Sequence, residues 1–263
     1  MKVAFCLYGQ PRMLEEGYKY IKAFMDNNKD IEFDFFYHTW YIEPTDGKPI
    51  YYDGAPWRNS PNSIELIIKK DIINRINELY KPKAGYYENP RYFDNSIVKP
   101  SLMYENTINK CGKNTEYVIN NISNTLSCIY TCQKVRDILF DWIKKNNIKY
   151  DFVISSRFDF LNNVNINLHT LDSSKLYTSS IHSPRDVIAG ANFYISNVDI
   201  FLNFFNVYDN IDVLKNNESM FNEMIFFKEM FIVNVEQLIT INYLYYYKNF
   251  DNLIKTNLIP NFR

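Results

Sequence analysis

The chain has 263 residues, 46% of them hydrophobic and 22% charged, which is the composition of a folded globule and excludes a disordered chain. Lys+Arg 29 against Asp+Glu 30 leaves a net charge of -1, so the broad basic footprint required by nucleic acid is missing. No apolar run has the length of a membrane span. The cysteines Cys6, Cys111, Cys128 and Cys132 form no CxxC pair, which argues against structural zinc.

In chain order, Lys2 to Tyr8 is almost continuously apolar, as a parallel strand covered on both faces should be. Its apolar part is too short for a secretory leader and no small-residue cleavage site follows. The residues Gly9, Gln10, Pro11 and Arg12 break the strand, and Leu14, Tyr18, Ile21 and Met25 follow at helical spacing. Phe33 to Trp40 predicts a second strand, and strand, turn, helix, strand is the opening of an α/β fold with a parallel sheet.

Tyr41 to Asn62 carries Pro44, Gly47, Pro49, Gly54, Pro56 and Pro61, which predicts a long loop. Ser63 then suits the cap of a helix whose buried face is Ile64, Ile67, Ile68, Ile72, Ile76 and Leu79. A short strand is expected over Ala84 to Tyr87. Glu88 to Glu116 shows no clear period, the pattern of loop or short helix. Tyr117 to Asn147 has the strongest helical pattern in the chain, as one helix or two, and leads into a strand over Tyr150 to Ser156. Further strands are expected over Lys175 to Ser180 and Asn192 to Ser196. Helices are expected over Val198 to Tyr208, Glu218 to Phe231 and Glu236 to Tyr247. No repeat or clean boundary interrupts this order, so it reads as a single domain over 1–263.

Two turns carry groups with chemistry. In open α/β sheets ligands bind beyond the carboxyl ends of strands, where a helix N-terminus favours an anion. There Gly9 lets the backbone approach closely, Pro11 suits a helix start, and Arg12 can bind phosphate bidentately; an ordinary turn with an exposed arginine is the alternative. The second turn is YDFVISSRFDF, an apolar strand that ends in Arg157 and Asp159 on one side of an extended chain. They either close the strand as an ion pair or rim a site for an anion or metal. Asp159 at a strand end is an oxygen ligand of the type that Mg²⁺ and Mn²⁺ prefer.

GQPR after the first strand, FYHTW at the end of the second and YDFVISSRFD after the long helix resemble one group of glycosyltransferases. These are found in bacterial surface-polysaccharide loci, among them WavE-like lipopolysaccharide synthesis proteins, and in giant viruses. The resemblance covers roughly the first two thirds of the chain in short motifs. It implies a GT-A-like, Rossmann-like fold with a mostly parallel sheet. Residues 1–160 would then be the nucleotide-sugar-binding part and 161–263 the acceptor side.

It also implies a cytoplasmic enzyme, in the host cytoplasm if viral, that moves a sugar from a nucleoside-diphosphate donor to a glycan acceptor. UDP-sugars are favoured over GDP-sugars, with peripheral membrane contact as an option. The family's DxD motif holds Mn²⁺ or Mg²⁺ on the donor diphosphate, and here its counterpart is Arg157-Phe158-Asp159. Only Asp159 carries over as a metal ligand; either a second comes from elsewhere, with His182 and Asp186 as candidates, or Arg157 partly replaces the metal. Gly9, Gln10, Arg12, His38 and Arg157 fall to the nucleotide side, while Asp186, Gly190 and Asn192 would shape the donor-sugar pocket. By analogy with the family the catalytic base falls to Glu223 or Glu218, and Glu223 is preferred because apolar neighbours would raise its pKa. Glutamates in the first turns of a helix also complement its dipole without any catalytic role. The alternative function is a degenerate transferase fold that binds a glycan or protein.

Overall fold

The computed structural model describes residues 1–41, 50–52, 66–68, 71–99, 101–111, 115–161, 163–179, 193–216, 233–248 and 253–256. Strand β1 (Lys2–Gly9) leads through α1 (Leu14–Asn27) to β2 (Glu32–Trp40). The short strands β3 (Ile50–Tyr52) and β4 (Leu66–Ile68) pair antiparallel as a separate ribbon. Then come α2 (Ile72–Tyr80), β5 (Ala84–Glu88), α3 (Leu102–Cys111) and the 32-residue α4 (Thr115–Asn146). The chain continues through β6 (Phe152–Arg157), β7 (Leu176–Ser179), β8 (Phe193–Ser196), α5 (Val198–Phe204), α6 (Ile211–Leu214), α7 (Val235–Tyr247) and β9 (Leu253–Thr256).

One mixed, mostly parallel sheet of seven strands in the order β5-β2-β1-β6-β8-β7-β9 runs through the molecule. Strands β5, β2, β1 and β6 are mutually parallel, β8 is antiparallel to both β6 and β7, and β9 is parallel to β7. Strand alternation divides β1 between two cores. Val3, Phe5 and Leu7 pack with Leu14, Ile21 and Phe24 of α1 and Ile72, Ile76 and Tyr80 of α2. Ala4, Cys6 and Tyr8 pack on the opposite face with α4, α5 and α7. The result is a Rossmann-like layer order, helices on both faces of one sheet.

Helix α4 is a single helix because one buried stripe runs its length: Val118, Ile122, Leu126, Ile129, Cys132, Val135 and Leu139. The expected helix from Ser63 is corrected, since Leu66 to Ile68 pairs as strand β4 and the helix begins only at Ile72. A Leu-Ile-Ile run opposite Ile50-Tyr51-Tyr52 suits a pleated pair better than a helical face. The long loop expected before it therefore contains β3. Strand β5 lies where it was expected, and α3 fills part of the stretch that lacked a period. The helix expected over Glu218 to Phe231 lies outside the described residues.

Candidate functional site

The chain runs from β1 outward to β2 and β5, then crosses back so that β6 takes the other side of β1. The direction of winding thus reverses between β1 and β6, and the carboxyl ends of those two strands open the crevice where α/β sheets bind ligands. Gly9 ends β1 and Arg157 ends β6, and Arg157 lies level with Tyr8 of the neighbouring strand. Both expected turns, GQPR and RFD, are therefore placed at the one switch point.

Each turn is locally fixed. Gly9 has a φ of 91°, and a Cβ built there would meet nothing within 4 Å, so the residue serves the backbone conformation and faces open space. Its carbonyl accepts a hydrogen bond of 2.7 Å from the Thr39 hydroxyl at the end of β2. The Arg12 amide donates to the Gln10 carbonyl at 2.8 Å and tightens the turn. Pro11 is not the first helical residue as expected: α1 starts at Leu14 behind Met13, which is left-handed at φ 47° and gives no side-chain cap. The turn after β1 thus projects Arg12 ahead of the helix.

After β6 the chain turns at Phe158, which is buried against Tyr37 and Tyr80. Asp159 returns toward Arg157. Arg157 Nε donates to Asp159 Oδ1 at 2.7 Å and Nη2 donates to Oδ2 at 2.6 Å, a two-point fork between planar groups. Arg12 Nε lies 3.5 Å from the same Oδ2. The side chains of Arg157, Asp159 and Arg12 are 30%, 16% and 17% exposed, so the cluster is shielded but not sealed. The two turns are joined by this carboxylate and by Gly17 of α1, where any Cβ would fall on the Phe158 carbonyl oxygen.

Burial pushes the Asp159 carboxyl up, but the Arg157 charge and hydrogen bonds, with Arg12 adding, hold it below the ordinary carboxylate range. For Arg157, burial opposes the charge and Asp159 more than restores it. Among the described residues two guanidinium groups thus face the single Asp159 carboxylate. Such a set attracts an anion. It does not fit a divalent cation, because Asp159 is the single carboxylate among the described residues there and two guanidinium groups already draw on its charge. Among the described residues no group of three or more His, Cys, Asp or Glu side chains could hold a metal ion.

His38 lies in line with Tyr8 on β2, two strand spacings from Arg157 across the sheet, about 10 Å. Its ring is fully buried among Trp40, Tyr86 and Tyr130, and its Nε2 lies 2.9 Å from Glu88 Oε1. Desolvation pushes its pKa down to about 4 although Glu88 opposes the shift, so the imidazole is neutral at ordinary pH. Trp40 is core, stacked on Tyr130 with ring centroids 5.5 Å apart. Arg91 lies over the same Tyr130 ring at 4.3 Å, so the corner is an aromatic wall with a cation stacked on it.

Of the expected site residues, Gly9, Gln10, Arg12, Arg157 and Asp159 meet at the switch point, and His38 sits apart in the wall. His182, Asp186, Gly190, Asn192, Glu218 and Glu223 lie outside the described residues. Gly17 and Thr39 also shape these turns and Glu88 holds His38, and the sequence reading singles out none of the three. A glycine inside an otherwise helical pattern was a readable signal of close packing, while the partners of Gly9 and His38 depend on pairing with β2 and β5.

No family model matches the chain, and no curated protein matches it.

Proposed function

We propose that the chain is a GT-A-like glycosyltransferase that transfers a sugar from a nucleoside-diphosphate donor, UDP favoured and GDP second, to a glycan acceptor. The observation that carries this reading is the meeting of Arg12, Asp159 and Arg157 at the switch point between β1 and β6. A diphosphate is the ligand such a place suits: an anion, recognised by planar forks, beyond the carboxyl ends of parallel strands. The resemblance of the GQPR and RFD segments to transferases of surface-polysaccharide synthesis supplies the sugar and the acceptor class.

In the reaction the bond from the sugar C1 to the diphosphate oxygen breaks, and a bond from the acceptor oxygen to C1 forms. The acceptor proton passes to a carboxylate, for which Glu223 is preferred and Glu218 and Asp186 are the other candidates. The nucleoside diphosphate leaves with its charge held by arginine. Isothermal calorimetry with UDP, GDP and their hexose conjugates tests the reading, followed by transfer assays with oligosaccharide acceptors. Micromolar to millimolar binding of one donor series is expected.

One observation favours a second reading. Arg157 and Asp159 already satisfy each other, as the closed pair of a binding module without catalysis would. Failure of all donors to bind would select it.

A further inference from the structure

The Arg157–Asp159 fork has a direction. Asp159 takes the side of the guanidinium that carries Nε and one Nη2 hydrogen. The opposite edge, with the Nη1 hydrogens and the second Nη2 hydrogen, is uncommitted among the described residues. With that edge a guanidinium can grip two oxygens of a phosphate as a second fork. Arg12 reaches the same carboxylate from the β1 turn, where the backbone beyond Gly9 borders open space. Asp159 thus holds one arginine by two hydrogen bonds and draws a second toward it.

We infer that the donor diphosphate is neutralised by the guanidinium groups of Arg157 and Arg12 and not by a divalent cation on Asp159, which acts as the positioning residue for both arginines. This rests on the donor-site reading above and departs from the metal implied by the RFD segment's likeness to DxD. A dication entering here would have to share the one carboxylate with Arg157 and stand beside two guanidinium charges. A diphosphate meets the outer edge of Arg157 without displacing Asp159 from it. As the sugar–oxygen bond breaks, negative charge grows on the leaving diphosphate, and fixed guanidinium donors stabilise that charge without reorganising. The arginines stay charged at every working pH, so they supply this from the start.

The test is calorimetry of the full chain with inorganic pyrophosphate and with UDP, in EDTA and in Mn²⁺. Binding in EDTA that Mn²⁺ leaves unchanged is expected. Arg157→Gln should weaken it by about tenfold to a hundredfold, the worth of a charge-assisted hydrogen-bond pair. Arg12→Gln, in a turn outside any strand or helix, should weaken it by about tenfold and keeps the test informative if Arg157→Gln does not fold. Asp159→Asn should weaken it by about threefold to tenfold, because an amide accepts at one oxygen only and the fork swings away. Asp159→Glu should restore it. Binding that requires Mn²⁺ and is abolished in Asp159→Asn would overturn this inference and leave the transferase reading in place. Binding in EDTA without sugar transfer from any donor would do the reverse. No binding of pyrophosphate, UDP or GDP under either condition would overturn both.

Discussion

Arg157 owes its orientation to a planar match with Asp159, and a lysine could supply its charge but not its fork. Arg157→Lys should therefore keep the protein folded and lower UDP affinity by about tenfold, read by calorimetry beside circular dichroism. His38 gives a separate signal at the same scale. Its folded pKa of about 4 lies below the ordinary histidine value of 6.5, so between those values the unfolded chain binds more protons than the native one. Stability contributed by His38 is therefore complete above pH 6.5, falls as the pH drops from 6.5 to about 4, and levels off below that. The full effect is at most about 3 kcal/mol. Denaturant melts across this range should show it, and His38→Gln should flatten the slope; an unchanged slope would mean that the ring is not buried neutral. Glu88, Lys134 and Arg91 share that environment, Glu88 opposing the shift and the two cations adding to it. Asp159 acts in a different window, its contribution being lost only as the pH falls below the ordinary carboxylate range.

Helix α1 and the turn after β6 touch where only a glycine fits. An alanine at Gly17 would gain about 1 kcal/mol of helix propensity. Against this stands overpacking of about 1–3 kcal/mol, at the upper end here because the opposing atom is a backbone carbonyl that cannot rotate away. Gly17→Ala is therefore expected to destabilise the protein and to weaken UDP binding, since moving α1 moves Arg12 relative to Asp159. Urea melts and calorimetry on one sample check both. Gly9 makes the contrast. Its surroundings leave room for a methyl group, so Gly9→Ala should cost only the left-handed backbone, about 1–2 kcal/mol. Equal melting curves for Gly9→Ala and the parent would contradict the φ of 91° at this turn.

Across the whole molecule the net charge is -1, so no long-range field steers an anion to the site. The attraction is local to a partly exposed cluster and is open to screening. Raising salt from about 0.1 M to about 1 M shortens the Debye length from about 10 Å to about 3 Å. UDP affinity should fall several-fold over that range, with little loss of fold stability. The sheet also ties both halves of the chain together, because β7, β8 and β9 extend the same sheet that β1, β2 and β6 begin. No described helix is long and apolar enough to cross a membrane.

Local pattern was enough for the elements that are buried on a regular period. The continuous apolar run of Lys2 to Tyr8, the long stripe of α4 and the strand ending at Arg157 could be read because burial imposes that spacing directly on the sequence. It failed at Leu66 to Ile68, where a three-residue run fits either a helix face or a pleated pair and only the partner at Ile50 to Tyr52 decides. The sequence by itself also determined which residue types could hold an anion at the two turns. It left open whether Arg157 and Asp159 were a strand-closing pair, an anion site or a metal site. Only the tertiary structure placed β6 beside β1 and brought Arg12 to the same carboxylate. Those facts depend on strand order, which follows from how the whole chain winds back past β1, and no local spacing of residues encodes it.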